Sequence, residues 1–163
     1  MFKKLNDKAK LPTRGTAYSA CVDVCSLENV IIGAGYTAMI DTGLAIDGDW
    51  LYARFKAHIT EESSEAEVMN AEQQFANFIA THYMQLSVRS SLGKKGVMLA
   101  NGIGVIDMDY KDSIRVLLHN STKEPFAINE GDRIAQIALL EHKTYLFEIL
   151  TDTVRDGGFG STN

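Results

Sequence analysis

The chain has 163 residues, a formal net charge of −5 and 45% hydrophobic residues. That length fits one domain with a real core, and the acidic balance argues against generic nucleic-acid binding, which needs a basic surface. No apolar run approaches membrane-spanning length, and the opening "MFKKLNDKAK" has no apolar stretch behind it, so neither a membrane span nor a signal peptide is expected. A small anionic ligand held by a few local arginines stays compatible with this composition.

Cys21 and Cys25 are four residues apart. In a strand they share a face but lie too far apart for a disulfide, so they read as free thiols in a reducing cytoplasm. The four histidines, at 58, 82, 119 and 142, are scattered and give no zinc pattern.

Most of the chain reads as short strands. "LYARFKAHI" alternates Leu51, Ala53, Phe55, Ala57 and Ile59 with polar or amphipathic partners. "SSEAEVMNAEQQFANFIATHYM" breaks this pattern and predicts a helix over about 63–83. Ser64 and Glu67 form a capping-box pair, and Val68, Ala71, Phe75, Phe78 and Ile79 follow at helical spacing. It reads either as a cover packed on the sheet or as a lid or partner-binding helix. "MQLSVRSS", "SIRVLLHN", "DRIAQIALL" and "TYLFEIL" are further expected strands, separated by breaks such as "INEGDR". The expected class is all-β: a mostly antiparallel sandwich, barrel or jelly roll carrying one helix.

Four segments carry chemistry. In "ANGIGVIDMDYKDSI", Asn101-Gly102 with Gly104 reads as a tight hairpin whose backbone could read a planar ring edge. Ile106 and Met108 would face the core, so Asp107 and Asp109 would share the other face, either solvated or holding water or metal. "RSSLGKKG", 89–96, could cradle an anion or be a plain basic turn. "EGDRIAQI" sets Arg133 and Gln136 beside a core run, where each could simply satisfy a neighbouring strand. The end, "RDGGFGSTN", is too glycine-rich for a strand or helix, yet keeps Phe159, which a solvated tail has no use for.

Taken together, "SACVDVCS", "RSSLGKKG", "NGIGVIDMDY", "GDRIAQ" and "GGFGST" resemble, in order and spacing, the five motifs of the trimeric dUTPase family. "DTGLAI" resembles the strand that follows the first motif. The resemblance implies a jelly-roll or β-clip fold and hydrolysis of dUTP to dUMP and pyrophosphate. It implies Mg²⁺ as cofactor and a homotrimer with shared active sites. Asp107 resembles the carboxylate that deprotonates the attacking water. Tyr110 resembles the ring under the deoxyribose, and requires a turn after Asp109. Asn101 with the adjacent backbone of Gly104, Val105 and Ile106 resembles the uracil-reading edge. Ser90, Ser91 and Gln136 resemble phosphate contacts, with Arg89 nearby. Asp23 resembles the residue that holds Mg²⁺ through water. In the tail, Phe159 resembles the ring stacked on uracil, and Arg155, Gly160 and Ser161 the groups closing over the phosphates.

These expectations divide the chain into a β domain over 1–154, with a helical insertion at about 60–83, and a flexible lid over 155–163. The free thiols point to the cytoplasm; insertions of this kind occur in phage-encoded members, and for such a chain the expected location is the host cytoplasm. Two alternatives stay open. A dCTP deaminase would share the fold and the R-S-S motif. By resemblance, however, that enzyme needs an arginine and a glutamate where Lys94 and "IRVLL" stand here. A regulatory module would act on a protein partner through the helical insert.

Overall fold

The computed structural model describes residues 1–147. Its strands run β1 (Phe2–Lys4), β2 (Thr13–Arg14), β3 (Val22–Cys25), β4 (Val30–Ile32), β5 (Thr37–Asp41) and β6 (Leu44–Ile46). Helices α1 (Gly48–Phe55) and α2 (Glu65–Thr81) follow, then β7 (His82–Val88), the single helical turn α3 (Ser90–Gly93), β8 (Val97–Leu99) and β9 (Gly104–Asp107). The described chain closes with β10 (Arg115–Asn120), β11 (Phe126–Ile128) and β12 (Arg133–Glu141). All pairings are antiparallel. The sheets have orders β2-β3-β12-β7-β9, β5-β10-β8, β1-β6 and β11-β4. This is a β-rich, jelly-roll-like fold with few helices.

Alternation explains the strands that matter. In β10, Val116, Leu118 and Asn120 turn inward while Arg115 stays exposed. In β7, Met84 and Leu86 are buried. With Val24, Ile40, Leu44, Val97 and Ile134 they form a shared core, each fully buried aliphatic contributing about 1.5–3 kcal/mol. Buried Asn120 is satisfied rather than stranded. Its Nδ2 donates to the carbonyls of Ile32 (3.0 Å) and Glu124 (2.8 Å), and its Oδ1 accepts from the Thr122 amide (3.0 Å) and hydroxyl (2.8 Å).

The helical region is larger than the sequence suggests. The predicted helix is present as α2: Ser64 Oγ accepts from the Glu67 amide at 3.4 Å, and Glu67 Oε2 accepts from the Ser64 amide at 2.8 Å. Ala71 is buried, and Phe75, Phe78 and Ile79 pack half-buried against the core, as a covering helix requires. "LYARFKAHI", however, is not a strand. Asp47 accepts from the Trp50 amide at 3.0 Å and starts α1. Leu51 and Phe55, four apart, then share one helix face, and Ala53 and Ala57 are exposed. Their small apolar side chains completed a false alternation. Phe55 and Tyr52 meet Phe75 at ring centroids of 5.7 and 5.1 Å, so α1 and α2 form a helical pair.

Two more expectations change. "TYLFEIL" begins as a 3₁₀ turn, Thr144–Leu146, with exposed side chains, and its last residues lie outside the described ones. The Asn101-Gly102 turn is tight, with Gly102 at φ +72°, but it does not close a hairpin. β8 before it pairs with β10, and β9 after it pairs with β7, so the turn carries the chain from one sheet to another. Among the described residues no helix is long and apolar enough to cross a membrane.

Candidate active site

The structure gathers the sequence-predicted site residues into two groups. The first is a cleft of about 210 Å³ lined by Asn101, Gly104, Val105, Ile106, Asp107 and Tyr110. All six were expected from sequence. Leu86, Ile114 and Leu117 supply its apolar wall, and Arg115 adds a cation. These four were not singled out. The only sequence signal for Arg115 is its place on the outward phase of β10. Gly104 has a packing reason: a Cβ there would sit 3.1 Å from the Leu86 Cβ, so glycine lets β9 lie tight on β7.

The acidic stretch is built differently from a continuing strand. β9 ends at Asp107, and Asp109 belongs to the turn that follows, so the two carboxylates do not share a strand face. Met108 does face inward, as expected. The turn needed to bring Tyr110 back starts at Asp107, not after Asp109: the Tyr110 amide donates to the Asp107 carbonyl at 3.1 Å. The buried Tyr110 ring is pinned further on, its hydroxyl donating to the Ser113 carbonyl at 3.2 Å.

The second group lies on the β3-β12-β7 part of the large sheet. Asp23 is buried, yet charged partners satisfy it. Arg89 Nε donates to Oδ1 at 2.8 Å and Arg133 Nη1 donates to Oδ2 at 3.1 Å. Gln136 stands opposite Asp23 on one side and Ser87 on the other. Ser90 and Ser91 are exposed at the start of α3, anchored by buried Leu92. Arg133 was read as a residue that satisfies a neighbouring strand, and it does so here by binding Asp23. Nearby, burial pushes the Cys25 thiol above its ordinary pKa. Both cysteines are free.

Asp107 and Arg89 lie at opposite ends of β7. Asp107 pairs with Tyr83 near the start of β7, whereas Arg89 follows its last residue. Six residues of strand separate these positions, roughly 20 Å at strand rise. Among the described residues no cluster of three His, Cys, Asp or Glu side chains could hold a metal. The expected tail contacts Arg155, Phe159, Gly160 and Ser161 lie outside the described residues.

An apolar slot edged by a carboxylate, and arginines fixed on a second carboxylate, suit a ligand with a flat ring and an anionic tail. The dUTPase family model matches residues 79–163. The chain is 34% identical to the deoxyuridine 5'-triphosphate nucleotidohydrolase of Nautilia profundicola, covering 99% of this chain and 96% of that one. It is 35% identical to the enzyme of the same name from Rickettsia typhi, covering 99% and 94%. Among solved structures, the Streptococcus mutans dUTPase superposes with a TM-score of 0.60 at 22% identity, over 96% of this chain and 98% of that one. A dUTPase from phage phi11 of S. aureus, which has a species-specific insert, gives 0.62 at 19% identity, over 99% and 97%. A mutant of the phi11 enzyme, solved with a structural Mg(II) ion, gives 0.61 at 19%, over 99% and 98%. The chain belongs to the dUTPase family.

Proposed function

We propose that the chain hydrolyses dUTP to dUMP and pyrophosphate, in sites that a second copy completes. The observation that carries the reading is the cleft joining Asn101, the β9 backbone, Asp107 and Tyr110. The slot takes the uracil edge-on against the backbone at 104–106, where a wrong ring would leave polar groups unpaired. Tyr110, held flat by its bond to Ser113, lies under the deoxyribose and leaves no room for a 2'-hydroxyl.

Asp107 orients a water molecule and takes its proton as the water oxygen bonds to the α-phosphorus. The bond from that phosphorus to the bridging oxygen breaks, and the electron pair leaves on pyrophosphate. Arg89, Ser90, Ser91 and Gln136 bind the phosphate tail. Asp107 and Arg89 stand at opposite ends of β7, roughly 20 Å apart along the strand, which is compatible with the shared sites that the family resemblance implies, the phosphate group of one copy facing the cleft of another. The family resemblance supports three copies.

Mg²⁺ would fit this site as an ion that keeps its own waters, because both Asp23 oxygens already bind arginines and, among the described residues, no cluster of His, Cys, Asp or Glu side chains surrounds them. Bound so, it would offset charge developing on the leaving pyrophosphate. Asp23 would contact it through water. By the family resemblance, Phe159 would contact the base and Arg155, Gly160 and Ser161 the phosphates. A panel of deoxynucleoside and ribonucleoside triphosphates, followed by pyrophosphate release, tests the reading. Release from dUTP alone is expected, and ammonia release from dCTP would overturn it. Solution size, measured with and without a non-hydrolysable dUTP analogue, tests the shared site.

A further inference from the structure

The pairing of β12 with β3 contains an irregularity that decides where one arginine points. Gln136 stands opposite Asp23 and Ala135 opposite Val24, but Arg133 stands opposite Cys25. Two steps along β12 therefore match one step along β3: a β-bulge at Ile134. Directly opposed residues share a face, and Cys25 and Asp23, two apart, share one too. In strict alternation Arg133 would lie with Ala135, on the face away from Asp23. The bulge turns it onto the Asp23 face, where Nη1 reaches Oδ2 at 3.1 Å. Arg89 arrives at the same carboxylate from the end of β7 and bonds it through Nε, at 2.8 Å. That contact occupies the inner edge of the Arg89 guanidinium and leaves both Nη groups for another partner.

We propose that Arg133 is a positioning residue for phosphate binding: through the bulge it shares the Asp23 carboxylate with Arg89 and fixes the direction in which Arg89 faces the triphosphate. The inference rests on the functional reading above and adds a residue to it. A carboxylate held by one guanidinium can rotate about its own side-chain bonds. Held by two, one from β12 and one from just past β7, it cannot turn without breaking a charge-assisted bond. Asp23 is only 9% exposed, so water is a poor substitute for either arginine. The trio also keeps one net positive charge beside Ser90 and Ser91. Losing Arg133 removes that charge as well as the constraint.

Calorimetric titration tests this with three probes: a non-hydrolysable dUTP analogue, dUMP and inorganic tripolyphosphate. Arg133→Gln is expected to weaken the dUTP analogue and tripolyphosphate roughly tenfold, the size of one charge-assisted bond, and dUMP less than about twofold. Arg133→Lys restores the charge without the fork and is expected to recover only part of the loss. In an Asp23→Asn background, Arg133→Gln is expected to add little, because the arginine acts through that carboxylate. Tripolyphosphate carries no base or sugar, so it reports on the trio even if the cleft takes another nucleoside. An equal loss for all three probes with a lowered melting temperature would show a purely structural arginine and overturn the proposal. Unchanged tripolyphosphate affinity in Arg133→Gln and Arg133→Lys would also overturn it. If Arg133→Gln does not fold, the Arg133→Lys comparison decides alone.

Discussion

Asp107 ends β9 and its carbonyl accepts the amide of Tyr110 at 3.1 Å, so the candidate base and the ring proposed to lie beneath the sugar are tied by a backbone hydrogen bond. Both line the same cleft. Asp107→Asn preserves the shape of that turn and removes only the proton acceptor. Turnover of dUTP is expected to fall at least about a hundredfold, with affinity for the non-hydrolysable analogue nearly unchanged. Steady-state pyrophosphate release beside calorimetric binding checks this. A variant that hydrolyses at the native rate would move the base elsewhere.

Gly104 tests the slot. An added Cβ would stand 3.1 Å from the Cβ of Leu86, a contact neither strand can relieve by a rotamer change. Gly104→Ala is expected to push β9 off β7 at a cost of about 1–3 kcal/mol, and to raise KM for dUTP more than it lowers kcat. Thermal unfolding and a KM–kcat comparison read the two effects.

The helical pair should be separable from the chemistry. Phe75 holds α1 to α2 through Tyr52 and Phe55. Phe75→Ala is expected to cost about 2 kcal/mol, less than a fully buried ring would, because the side chain is half-buried. Hydrolysis by the folded fraction should be unaffected. Lost turnover at full stability would connect the insert to the active site.

Acid should loosen the start of α2. Glu67 accepts from the Ser64 amide and hydroxyl, which lowers its pKa below the ordinary 4.5. A group with a depressed folded pKa contributes stability above its unfolded value and loses it as pH falls through the folded one. Wild type should therefore exceed Glu67→Gln in melting temperature near neutral pH, with the gap closing below about pH 4. A gap that is constant over that range would exclude the carboxylate as its cause.

The cleft was legible in the sequence because its parts are adjacent: Asn101 to Tyr110 is one short run resembling a family motif, although both turns within it were placed differently. The capping box at Ser64 was legible for the same reason. Arg115 and Leu86 were not, since only strand pairing brings them to the slot. The trio joins Asp23 of β3, Arg133 of β12 and Arg89 just past β7, and strict alternation would have sent Arg133 to the wrong face. Residues 51–59 misled because Leu51, Ala53, Phe55 and Ala57 satisfy period two, while Leu51 and Phe55 alone satisfy the helix that Asp47 starts.

The separation along β7 has a genetic consequence. A chain lacking the Asp107 carboxylate still carries the arginine end, and a chain lacking Arg89 still carries the cleft. Each defect spoils a different half. If sites are shared between copies as proposed, two inactive alleles coexpressed are expected to complement one another, because some mixed particles would pair an intact cleft with an intact arginine end.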